Sequence, residues 1–231
     1  MYELLKMPAG QKGQKMATKK DINIIEVEPI AIKHAKVRIV GDTDLVLHKV
    51  NARYARECAA VAEGKTVTKE QPNFWEDILT SVRWNIPFPV ENTYKDLKEE
   101  HYAWMLEHGK PCISAFGLYK SFGDAVVQNE IDTYSTKIKS AITVLSDNDN
   151  IPVDFSSAYL DDVLMPLKKS GHTVATLNKF KGWSAEFEIR YTENVYSITK
   201  IINIINLAGF CKGIGSGRSS GYGRYHIDNV E

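Results

Sequence analysis

The spacing of apolar residues changes period several times along this chain, and each change marks an element. Lys36-Val37-Arg38-Ile39-Val40 alternates polar and apolar positions, the period of a half-buried strand. Gly41-Asp42-Thr43-Asp44 breaks that alternation and offers a helix N-cap. From Leu45 to about Glu63 the apolar positions Leu47, Val50, Tyr54, Cys58 and Val61 recur three and four apart, which predicts an amphipathic helix ended by Gly64. Its other side carries Lys49, Arg53 and Arg56. Between about Pro72 and Leu145 the pattern reads as helical, in segments Phe74 to Trp84, Tyr94 to Glu107, Ser114 to Val127 and Asp132 to Leu145. Asp147-Asn148-Asp149-Asn150 is a turn cluster.

The last third returns to β character. Ala185 to Tyr191 alternates cleanly and reads as a strand. Ser197 then caps a helix whose isoleucines, with Leu207 and Ala208, form one broad buried face bracketed at its end by Gly209 and Gly213. A glycine-rich loop leads into a final strand from about Tyr222 to Ile227. Two βαβ-like halves around a helical middle predict an α+β fold, a ferredoxin-like (RRM-like) sandwich with a helical insertion at about 72–150. Residues 1–23, rich in Lys, Gln and Gly and without apolar periodicity, predict a flexible basic tail ahead of a single domain at 24–231.

Composition adds mainly exclusions. Hydrophobic residues make up 43% and charged residues 25%, which suits a folded globular chain. No apolar run is long enough to cross a bilayer and no secretory leader is visible, so a cytoplasmic protein of a bacterium or a phage-infected cell is expected, with no membrane partner. Cys58, Cys112 and Cys211 are isolated, form no CxxC pair and support neither a metal site nor a disulfide framework. Neither metal nor cofactor is expected. Net charge is zero, but it is unevenly placed. Lys6, Lys12, Lys15, Lys19 and Lys20 face Glu3 alone at the N-terminus, and no acid occurs from Asn194 to Ile227. Acids gather in the middle, from Glu91 to Asp162. Two basic ends around an acidic middle point to one face for phosphates.

The informative stretch is Gly213-Ile214-Gly215-Ser216-Gly217-Arg218-Ser219-Ser220-Gly221-Tyr222-Gly223. A Walker A loop would need Gly-Lys-Ser/Thr where Arg218 begins, and a dinucleotide GxGxxG would need glycine at Arg218 or at Ser220. Both motifs also run from strand to helix, whereas here a helix precedes and a strand follows. As a pattern the stretch is G-φ-G, five residues, G-φ-G, with Arg218 among the five. Glycines let backbone N–H groups form an anion-binding concavity, and Arg218, flanked by Lys212 and Arg224, adds a donor suited to phosphate oxygens. Ser216, Ser219 and Ser220 add neutral donors, and Tyr222 could stack on a base.

That pattern resembles the signature loop of the RAMP superfamily, the repeat-associated proteins of CRISPR systems, in which the loop joins the last helix of a ferredoxin-like domain to its last strand. A second, looser similarity, to an uncharacterised group of phage proteins, runs through Val40-Gly41-Asp42-Thr43-Asp44-Leu45-Val46-Leu47-His48-Lys49, with Trp183 and Ala208-Gly209-Phe210. The RAMP resemblance implies a holder of single-stranded RNA, or DNA, with the strand bound by Lys212, Gly213, Gly215, Gly217, Arg218, Ser219, Gly221, Tyr222, Gly223 and Arg224, and by Lys49, Arg53 and Arg56. It also implies self-association along the strand and other subunits of a ribonucleoprotein complex. Its alternative is a metal-independent endoribonuclease that activates the ribose 2′-hydroxyl through His48, the one histidine placed near the first helix start. Tyr54, six residues on, would lie across a regular helix from it. A phage structural or assembly protein is the third reading. A small-molecule enzyme is disfavoured, because Asp161-Asp162 and Glu99-Glu100 are adjacent pairs whose side chains diverge.

Overall fold

The computed structural model describes residues 30–66, 71–90, 93–166 and 171–231; the expected basic tail lies outside them. The alternating segment near the N-terminus forms strand β1 (Ile32–Gly41), which turns Ala35, Val37 and Ile39 into the core. Strand β9 (Ser184–Thr192) alternates in the same way through Ala185, Phe187, Ile189 and Tyr191, and pairs antiparallel with β1, Val37 opposite Phe187. Strand β10 (Tyr225–Val230) pairs with the other side of β1, where a register shift falls between Arg38 and Ile39. Beyond β9 lie β5 (Ile142–Leu145) and β6 (Asn150–Asp154), then β4 (Pro111–Ser114) and β3 (Arg83–Trp84). The resulting sheet has seven strands, all antiparallel.

Two helices cover it. Helix α6 (Ile198–Cys211), capped by the Ser197 hydroxyl, buries Ile201, Ile204, Ile205 and Ala208. Helix α4 (Ala115–Gln128), capped by Ser114, buries Leu118, Phe122, Ala125 and Val126 and packs along α6. The path β1-α4-β5-β9-α6-β10, with sheet order β10-β1-β9-β5, is the α+β ferredoxin-like arrangement. The middle of the chain carries helices α2 (Phe74–Thr80), α3 (Glu99–His108), α4 and α5 (Thr136–Ala141), and also strands β3, β4 and β5 that helical periodicity hid. The segments read as Phe74 to Trp84 and Asp132 to Leu145 each hold a short helix and finish in a strand.

The reading of Leu45 to Glu63 as one helix is corrected. Leu45, Val46 and Leu47 are all buried and form strand β2 (Leu45–Leu47). Helix α1 (Ala52–Ala62) starts only after Asn51, whose side chain accepts from the Tyr54 N–H. Three consecutive aliphatic residues buried on both sides satisfy a short strand as well as one helical turn, and pairing with β8 (His172–Lys181) decides it. Strands β2, β8 and β7 (Ser157–Pro166) make a second, three-stranded sheet of which β7 and β8 form a long hairpin. One hydrophobic core spans both sheets and includes Leu45, Leu47, Phe180 and Trp183. Among the described residues no helix is long and apolar enough to cross a membrane.

Candidate nucleic-acid interface

The glycine loop is built onto β2. As α6 ends, the N–H groups of Lys212 and Gly213 both reach the Ala208 carbonyl at 2.9 Å. The loop's neck closes where the Ile214 N–H donates to the Gly223 carbonyl, 2.9 Å away. A Cβ on Gly223 would stand 1.9 Å from the Ile214 oxygen, so only glycine permits this approach. On Gly215 a Cβ would stand 2.4 Å from the Val46 oxygen, which shows how tightly the loop lies on β2. Ser216 secures that contact, its N–H to Val46 O at 2.8 Å and its hydroxyl to His48 O at 3.1 Å. The turn after β1 holds the other side: Thr43 donates its hydroxyl to Gly221 O, and the Asp44 carbonyl accepts from the Gly223 N–H.

Most of the loop's backbone donors are therefore consumed by the protein itself. The N–H groups of Gly213, Ile214, Ser216, Ser220, Gly221, Tyr222, Gly223 and Arg224 all have acceptors. Those of Gly215, Gly217, Arg218 and Ser219 have none among the described residues. Gly217 is left-handed, at φ 67°, and a 3-10 turn (Arg218–Ser220) follows. That alternation turns successive N–H groups towards one point, the geometry of an anion nest. The expected nest thus contracts from the whole loop to its tip.

A cleft of about 250 Å³ lies between this loop and the rest of the molecule. Lys49, His48, Arg83, Lys120 and Arg218 line it, and among the described residues no carboxylate does. His48 and Lys49 come from the connector just after β2, Arg83 from β3, and Lys120 from the first turns of α4. Arg83 is steadied by Asp149, 3.2 Å away, while Lys49, Lys120 and Arg218 have no ion-pair partner among the described residues. Partial burial, then repulsion from Arg83, lowers the Lys49 pKa. Burial alone lowers that of His48. Burial pushes the Cys112 thiol up to about 11, with Arg83 opposing. A lysine whose charged form is disfavoured by burial and by a neighbouring guanidinium is one that gains from an anion. A second cleft, of about 560 Å³, opens on the loop's other side with Lys212, Arg218, Arg224 and one acid, Asp124.

Other expected contacts go elsewhere. The Arg53 guanidinium is bound by Asp77, with a contact of 2.8 Å, and by Glu57. Arg56 donates to the buried Glu76 at 2.7 Å. These two arginines anchor α1 to α2 and do not line the cleft, so of the expected basic face only Lys49 meets the loop. The Tyr222 hydroxyl accepts from Lys179 at 2.7 Å, and the ammonium lies 4.3 Å from its ring centroid. Lys179 is buried; that burial lowers its pKa, but Asp161 and Tyr222 more than offset the effect and leave it raised. Tyr222 therefore clasps the loop to the β7–β8 hairpin and does not stand in the cleft as a stacking platform. Arg224 also turns inward, its Nη2 reaching the Arg218 carbonyl at 3.4 Å. Tyr54 stands exposed on α1, outside the cleft lined by His48.

Sequence reading missed Arg83 and Lys120. Each lies far from the loop in the chain and carries no local motif; only the fold unites them. Among the described residues no cluster of three or more His, Cys, Asp or Glu could hold a metal.

No protein-family model matches the chain, and no curated protein does. Among solved structures it is similar to a chain in the cryo-EM structure of the Type III-B Cmr-beta bound to cognate target RNA, with a TM-score of 0.45 and 11% identity. The match covers 87% of this chain and 60% of that one, so this chain spans less than two thirds of its neighbour's length.

Proposed function

We propose that this protein is a non-catalytic holder of a single-stranded nucleic-acid backbone, RNA before DNA, within a ribonucleoprotein assembly of RAMP type. The observation that carries the reading is the cleft of Lys49, Arg83, Lys120 and Arg218, which has no lining carboxylate among the described residues. Phosphate oxygens offer these groups what the protein withholds, a fixed negative charge with several acceptors. The loop's resemblance to the superfamily signature supports RNA as the strand.

The expected outcome is strand binding that weakens with salt. Arg218→Ala and Lys120→Ala should each lower affinity for a single-stranded RNA by about tenfold. Each should also reduce the salt slope by about 0.7. Filter binding at several salt concentrations measures both, with DNA of the same sequence alongside. Gly215→Ala is a poor probe, because its Cβ would strike the Val46 carbonyl and disturb the loop itself. Unchanged affinity in both charge variants removes the cleft from the site, and no binding at all favours a structural or assembly protein.

One observation favours the second reading, cleavage. His48 lines the cleft beside Lys49, and its lowered pKa keeps it neutral at pH 7, the form a general base requires. Strand scission with 2′,3′-cyclic phosphate ends, lost in His48→Ala, would establish it.

A further inference from the structure

At Lys49 the basic cleft gives onto a second and larger groove, and the two differ in chemistry. This groove holds about 780 Å³, and Trp84, Ile86, Phe88 and Val90 line it beneath Tyr94. The Trp84 indole N–H is already spent on the Leu79 carbonyl at 3.1 Å. The Phe88 and Tyr94 rings meet edge to face, 5.4 Å between centroids, and Tyr94 is 45% exposed. Among the described residues no carboxylate lines this groove either, and its charged lining residues are Lys49 and Arg56. Lys49 belongs to both linings, so the two spaces adjoin at that residue.

A single strand alternates a charged phosphate with a flat base whose faces are apolar. A cationic cleft that continues into an aromatic trough matches that alternation, since bases stack on aromatic rings whatever their sequence. We propose that the groove receives unpaired bases of the strand whose phosphates lie in the cleft, with the Phe88–Tyr94 pair as the stacking edge. This rests on the strand-binding reading above and adds to it a preference for unstacked bases over duplex. Paired bases cannot turn into the trough, so a duplex engages the cleft alone.

The test compares three ligands of equal length: a single-stranded RNA, the same backbone with the bases removed, and the duplex. Wild-type protein should bind the base-bearing strand about tenfold or more tightly than either of the others. Tyr94→Ala should bring the base-bearing strand down to the abasic level and leave abasic binding unchanged, while Tyr94→Phe keeps the preference. Tyr94 is exposed, so this substitution leaves the core intact. Equal binding of base-bearing and abasic strands overturns the proposal and is the result expected if the groove serves a peptide or a protein surface. So does a Tyr94→Ala variant that weakens both strands by one factor. Neither result touches the cleft, which stands or falls on Arg218→Ala and Lys120→Ala, whereas a wild type that binds no strand removes both readings.

Discussion

His48 shows how much a single side chain can report. It lines the cleft, and burial lowers its pKa, so in the unliganded protein it is neutral at pH 7. A phosphate beside it would favour the charged form and reverse that shift. Binding should then take up a proton, and affinity for single-stranded RNA should rise as pH falls below about 6.5, by at most about tenfold per pH unit. His48→Asn should flatten the profile without abolishing binding, which titration between pH 5.5 and 7.5 would measure. A cleaving His48 gives the opposite sign, a rate that falls as acid removes the base. Arg53 and Arg56 teach the converse lesson: a cation matters to a ligand only if its own carboxylates leave it available.

The loop-on-strand unit is the element that makes the cleft. A methyl group on Gly223, which sits at φ 69°, would stand only 1.9 Å from the Ile214 carbonyl oxygen. Gly223→Ala should therefore cost about 1–3 kcal/mol. Thermal unfolding should show this as a Tm lower by about 2–4 °C per kcal/mol. An unchanged Tm would mean the neck is not closed as described. How much of this was legible follows the same lines. The strands β1 and β9, the helix α6 and its Ser197 cap stood out because one face of each is buried and the period is clean. Strand β2 did not, because all three of its residues are buried and no period exists to read. Strand β5 was absorbed into a helix for a similar reason, its four residues directly continuing α5. The glycine pattern singled out a loop whose glycines Gly215 and Gly223 serve close packing, on β2 and across the loop's own neck.

At the scale of the whole molecule, zero net charge conceals an uneven surface. The cations of the cleft come from the connector after β2, from β3, α4 and the loop, so a folded chain concentrates what the linear chain scatters. On the strand-binding proposal, one cleft of this size would grip few nucleotides, and useful affinity would need several copies side by side on one strand. Light scattering should accordingly show particles that grow with oligonucleotide length. A protein that stays at one copy on a strand many sites long would remove self-association from the account. The central claim, that the cleft is where the strand lies, is tested most directly by lysine acetylation with and without a single-stranded RNA, read residue by residue by mass spectrometry. Lys49 and Lys120 line the cleft, whereas Lys33 and Lys36 pair with Glu193 and Glu186 on the sheet away from it. The account predicts that RNA protects Lys49 and Lys120 and leaves Lys33 and Lys36 as reactive as before; equal labelling of Lys49 and Lys120 with and without bound RNA would contradict it.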